Sequence, residues 1–194
     1  MSTLFNDFNG LAQIPYKILQ YLMLYGEEDI WKILKYNDED CLSKPNLTLK
    51  EKSDLIWRNK MNEEKYRVFL KPLIGDAWTD STTQLRLYKN AIKPFDRLKA
   101  VVLYSFEIVV GAKASMVDFN GILIPRLDYL EELILKSLNG KNLGFGIAEF
   151  QFNQEVDRES QERYNINNGK TFYGSTLTMC ITYSNVVEKG CNNV

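Results

Sequence analysis

Residues Ala100 to Val110 read Ala-Val-Val-Leu-Tyr-Ser-Phe-Glu-Ile-Val-Val, a run that is apolar at odd and even positions alike. A strand exposed on one face alternates between apolar and polar, whereas one covered on both faces reads as a continuous apolar run. Ala100–Val110 is therefore predicted to be a central strand, with further strands on either side of it.

Those strands are found on both sides in sequence. Upstream, Tyr66-Arg-Val-Phe-Leu70 and Gln84-Leu-Arg-Leu-Tyr88 are short β-rich runs separated by the turn-rich Gly75-Asp-Ala-Trp-Thr-Asp80. Downstream, Phe145 to Phe152 reads as a strand. In Tyr173 to Tyr183 the residues Leu177, Met179 and Ile181 alternate with Thr176, Thr178, Cys180 and Thr182, giving one dry face and one wet one. Between these two, Gln154 to Lys170 is strongly polar and is expected to be a long hairpin loop or an arm.

Helical spacing occurs in two places. Leu127, Leu130, Leu133, Ile134 and Leu138 mark one face of a long helix, with Pro125 expected in its first turn and Asn139-Gly140 as its stop; Asn120-Gly121 punctuates the chain before it. Leu11, Ile14, Ile18 and Leu22, then Ile30, Trp31 and Leu34, predict two short helices broken around Gly26. Thr48 with Glu51 forms a capping box that opens a third helix, expected to reach Trp57. The predicted fold is α+β: a helical segment over residues 1–60, then over 61–194 a mainly antiparallel sheet of about five strands packed with one long helix, in the order β-β-α-β-β, with a polar loop or arm at 154–170. The boundary is placed near residue 60.

The chemistry of the chain is defined by what it lacks. Its 194 residues contain no histidine, which removes the most common general acid–base side chain and metal ligand, and with it the Ser-His and Cys-His pairs. Cys41, Cys180 and Cys191 form no CxxC pair, so neither a disulfide framework nor a zinc site is expected, and reduced thiols fit an intracellular setting. Glu27-Glu-Asp29 and Asp38-Glu-Asp40 lack the ligand spacing of a calcium loop, and Glu27–Asp29 suits a helix N-terminus. The glycines in Asn139-Gly-Lys-Asn-Leu-Gly-Phe-Gly146 follow a helix and precede a strand, the reverse of a phosphate loop. Asp118, Asp128, Glu131 and Glu132 are what remains for carboxylate catalysis. No enzyme activity and no cofactor are expected.

With 24 basic and 25 acidic residues, nothing global draws the chain to nucleic acid or to an anionic membrane, and self-association is not opposed by net charge. No apolar run approaches the ~20 residues of a bilayer span. Met1 to Gly10 carries no Lys or Arg, so a secretory signal is not expected. Aromatic residues are plentiful, and Trp and Tyr are enriched at protein interfaces. Trp78, flanked by Asp76 and Asp80, is the candidate partner contact in its loop; in the polar arm the candidates are Arg158, Arg163 and Tyr164.

Leu103-Tyr-Ser-Phe-Glu-Ile-Val-Val110, Asn120-Gly, Arg126-Leu-Asp-Tyr-Leu-Glu-Glu-Leu-Ile134, Leu138-Asn-Gly, Gly144-Phe-Gly and Phe150-Gln-Phe together resemble the neck and tail-completion (tail terminator-like) proteins of tailed bacteriophages, over roughly Tyr66 to Tyr183. The resemblance implies a homo-oligomeric ring, six- or twelve-fold, in the head–tail neck of a virion assembled in the host cytoplasm. Its partners would be portal, other neck, and tail tube or sheath proteins. Such a ring can surround the DNA channel without reading base sequence. The alternative is a monomeric intracellular adaptor that binds one protein.

Overall fold

The computed structural model describes residues 11–58, 63–71, 82–94, 99–143, 149–152, 161–167 and 171–184. Its first elements are helices α1 (Ile14–Tyr25), α2 (Glu28–Lys35) and α3 (Leu49–Asp54). The break between α1 and α2 falls at Gly26, as the spacing predicts. Pro15 sits in the first turn of α1, where its missing N–H costs nothing. Glu28 and Asp29 occupy the first turn of α2 and Lys32 and Lys35 its last, each sign at the end where the helix dipole favours it. The capping box is present: Thr48 Oγ1 accepts from the Glu51 N–H and the Glu51 carboxylate accepts from the Thr48 N–H. α3 ends at Asp54 rather than Trp57, because the Trp57 N–H is taken by the Val68 carbonyl at 2.8 Å, which pulls the chain into the edge of the sheet.

The sheet comprises β1 (Val68–Phe69), β2 (Thr83–Pro94), β3 (Lys99–Gly111), β6 (Gln161–Asn167) and β7 (Thr171–Ser184), in the order β1-β2-β3-β7-β6. β4 (Met116–Phe119) and β5 (Ile122–Pro125) form a separate hairpin, and α4 (Arg126–Leu138) follows it. Every pairing is antiparallel except that of β1 with β2. β2-β3-α4-β6-β7 is the β-β-α-β-β order, with the hairpin inserted before the helix, and the fold is α+β as predicted.

β3 lies third of five, between β2 and β7. Val102, Tyr104, Phe106, Ile108 and Val110 point into the core shared with α1, α2 and α4. On its other face Leu103, Ser105 and Val109 are buried as well, which accounts for the continuous apolar run. In β7, Leu177, Met179 and Ile181 are buried while Thr176, Thr178 and Cys180 are only partly so. One core holds Ile18, Leu22, Trp31 and Leu34 of the helical segment together with the sheet residues. The helical segment and the sheet thus share one hydrophobic interior.

Three further local expectations change. Gln161–Asn167, inside the polar stretch predicted to be a loop or arm at 154–170, is strand β6, paired over its whole length with β7. Its polarity misleads because it is an outermost strand. Of the strand expected over Phe145–Phe152, residues 149–152 are described, and there Phe150 and Gln151 make only isolated bridges to Lys141 and Cys180. Pro125 closes β5 and caps α4 rather than entering its first turn.

Candidate functional site

Arg126, the first residue of α4, is fully buried and has no carboxylate partner in its hydrogen-bond set. Its guanidinium donates instead to the carbonyls of Ile33 (3.1 Å), Tyr36 (2.7 Å), Asn37 (3.0 Å) and Asp38 (2.7 Å), at and just past the C-terminus of α2, and to Met116 in β4. Helix-terminal carbonyls carry partial negative charge, so a cation there is favourable. Burial lowers the Arg126 pKa, and it raises that of the neighbouring Cys41 thiol, leaving Cys41 protonated and unreactive. Around this hub α2 and α4 are tied by Glu27 N–H to Ser137 Oγ (3.1 Å) and Tyr129 O–H to Asp29 (3.1 Å).

A second polar construction crosses the sheet on the face opposite α4. Arg86 in β2 pairs with Glu107 in β3 at 3.0 Å, and the Tyr164 hydroxyl in β6 donates to the other oxygen of Glu107 at 2.5 Å. To reach Glu107 the Tyr164 ring lies over Gly174 in β7, where any Cβ would meet the ring. Burial first, and then the Glu107 carboxylate, push the Tyr164 phenol well above its ordinary pKa. These groups brace four strands.

On the helix side, Arg163 reaches Asp128 and Glu131 of α4, each at 2.9 Å. Beside it a cleft of about 520 Å³ opens between the first turn of α4, the base of the hairpin and the ends of β6 and β7, lined by Met116, Leu127, Asp128, Arg163, Asn165 and Tyr173 among others. The β4–β5 turn is Asn120-Gly121, both with left-handed φ (55° and 85°), as a two-residue hairpin loop of the I′ class requires, and Asp118 accepts from the Gly121 N–H at 2.6 Å. The hairpin exposes Phe119 at 42%, Ile122 at 66% and Leu123 at 51%. A smaller hollow of about 410 Å³ beside it is bordered by Asp29, Asp40 and Asp118. Tyr129, Lys44 and the Gly121 N–H engage these three acids respectively.

Of the sequence candidates, Trp78, Asp76, Asp80 and Arg158 lie outside the described residues. Arg163 and Tyr164 are neighbours on β6 whose side chains go to opposite faces of the sheet, one to α4 and the other to Glu107. Among the four acids considered for carboxylate chemistry, Asp128 and Glu131 are brought together, with a cation between them; Glu132 is exposed on α4, and Asp118 belongs to the hairpin. Among the described residues no cluster of His, Cys, Asp and Glu is placed to hold a metal, and no helix is long and apolar enough to cross a membrane. Sequence reading missed Arg126 and the apolar hairpin. The hairpin had a signal, Asn-Gly between Met-Val-Asp-Phe and Ile-Leu-Ile-Pro.

Residues 27–181 match the family YomW, a span that takes in α2 and α3 as well as the sheet. A comparison with curated proteins found no match. The chain belongs to the YomW family, a phage-derived family of the Bacillus prophage type, and is a phage-associated protein.

Proposed function

We propose that this YomW-family chain is a non-catalytic structural protein of a phage particle, forming a ring of six or twelve copies in the head–tail neck and contacting portal-side and tail-side proteins. The observation that carries the reading is the β4–β5 hairpin. A two-stranded hairpin is marginal by itself, yet this one holds Phe119, Ile122 and Leu123 out to water. Clustered exposed apolar residues are a feature of protein contact surfaces. The hairpin is anchored through Arg126, the first residue of α4, to the end of α2, so a contact at its tip is referred to the helices as well as the sheet. The non-catalytic part of the reading is supported by the absence of histidine and by the engagement of Asp128 and Glu131 with Arg163.

The test is electron microscopy and light scattering of the purified protein, alone and mixed with portal and tail-tube proteins. Rings are expected. The double variant Ile122→Ser/Leu123→Ser is expected to keep its far-ultraviolet circular dichroism and lose the rings. Monomer under every condition would overturn the reading, and capture of a single host protein by that monomer would favour an adaptor.

A further inference from the structure

The two sides of the sheet are finished differently. On one side, β2 runs beyond its short partner β1, which pairs only with Leu85 and Arg86. The part of β2 left over carries Lys89, Lys93 and Pro94, with a register shift between Lys89 and Ala91. Lysine, proline and a bulge are the usual devices that stop a sheet edge from pairing with another chain. On the other side, β6 is outermost among the described strands, and its seven residues pair with β7 without a register shift and contain neither Lys nor Pro. Its one cation, Arg163, is drawn onto α4 by Asp128 and Glu131, and the Tyr164 ring is laid back over Gly174, away from the edge. One edge is guarded, while the other is straight and tidied.

We propose that β6 is a pairing edge and that its occupant is β6 of a second copy, antiparallel, joining the two sheets into one. One register lets a second copy pair along all of β6 without like charges meeting. An antiparallel pair about a two-fold axis keeps each residue on its own face of the sheet, and the register that matches all seven residues is centred on Tyr164. That register sets Arg163 opposite Asn165 and Glu162 opposite position 166, an isoleucine, so no two like charges face each other. Shifting the centre by one residue, to Arg163, sets Arg163 against Arg163 and leaves two residues of each strand without partners. Near-zero net charge adds no general repulsion between copies. This inference does not rest on the neck reading, since it describes the free protein whatever its role.

Asn165 is exposed and lies opposite Arg163 of the second copy, so a charge placed there reads the pairing directly. In sedimentation equilibrium the full-length protein is expected to be a dimer. Asn165→Lys, which faces Arg163 with a like charge, is expected to raise the dimer dissociation constant about tenfold or more, and Asn165→Glu to lower it, both with unchanged circular dichroism. A monomeric wild type, equal constants for all three proteins, or a larger wild-type assembly that Asn165→Lys leaves intact would overturn the proposal. A dimer that obeys the charge rule yet forms no ring with portal and tail proteins would count against the neck reading alone.

Discussion

Arg126 ties several parts of the fold together, because its guanidinium donates to carbonyls from α2, from the turn after it and from β4 at once. Replacing it with Met takes this donor from the carbonyls of Ile33, Tyr36 and Asn37, and a loss of about 3 kcal/mol is expected in urea denaturation. Arg126→Lys, with three donors in place of five, should recover only part of it. Tyr164 and Gly174 form the complementary case, in which one residue must be absent for another to fit. Gly174→Ala is expected to destabilise by about 1–3 kcal/mol, and the cost should shrink in a Tyr164→Leu background. The Tyr164 phenol also sets a pH limit. Its folded pKa lies above the unfolded value of about 10, so the folded state holds its proton more tightly. The stability this supplies is complete below pH ~10 and is lost as pH rises beyond it. Tyr129, pushed up to about 12 by burial and Asp29, adds to the same alkaline slope. Stability measured against pH should therefore fall above pH ~10, and less steeply in Tyr164→Phe.

At the scale of elements, α3 is short and is held by its start. The Glu51 carboxyl, in contact with Lys35 and with the Thr48 N–H, is lowered to about 2. A carboxylate with a depressed folded pKa stabilises above its unfolded value of about 4.3, and that contribution disappears as pH falls toward 2. Glu51→Gln should flatten the acid limb of the stability profile between those values, while Thr48→Ala is expected to lose about 1 kcal/mol at neutral pH. The capping box was legible in the sequence because its partners are three residues apart. β3, the break at Gly26 and the stop at Asn139-Gly140 were legible for the same reason, each being written in local spacing. β6 was not, since a polar strand owes its conformation to the β7 residues it pairs with rather than to its own alternation. Arg126 was equally hidden: its acceptors lie 88 to 93 residues upstream, apart from Met116. The position of the β4–β5 hairpin was hidden for the same reason, since Arg126 fixes it through Met116.

The molecule as a whole behaves as one interior. Trp31 and Leu22 share a core with Phe106 and Leu177, and Lys52 of α3, buried and paired with Glu28 at 2.5 Å, also donates to the Met23 carbonyl of α1. Far- and near-ultraviolet circular dichroism are expected to report one coincident thermal transition. A fragment beginning at residue 61 should not fold, because α1 and α2 cover the β2 side of the sheet. The hub at Arg126 has a further consequence during synthesis. The helices around Trp31 leave the ribosome first, but the carbonyls at the end of α2 wait for a side chain made 88 to 93 residues later. At about 5–20 residues per second, that is an interval of roughly 5–20 s in which the N-terminal helices exist without their closing cation. The carbonyls at the end of α2 thus gain their donor only after α4 is made.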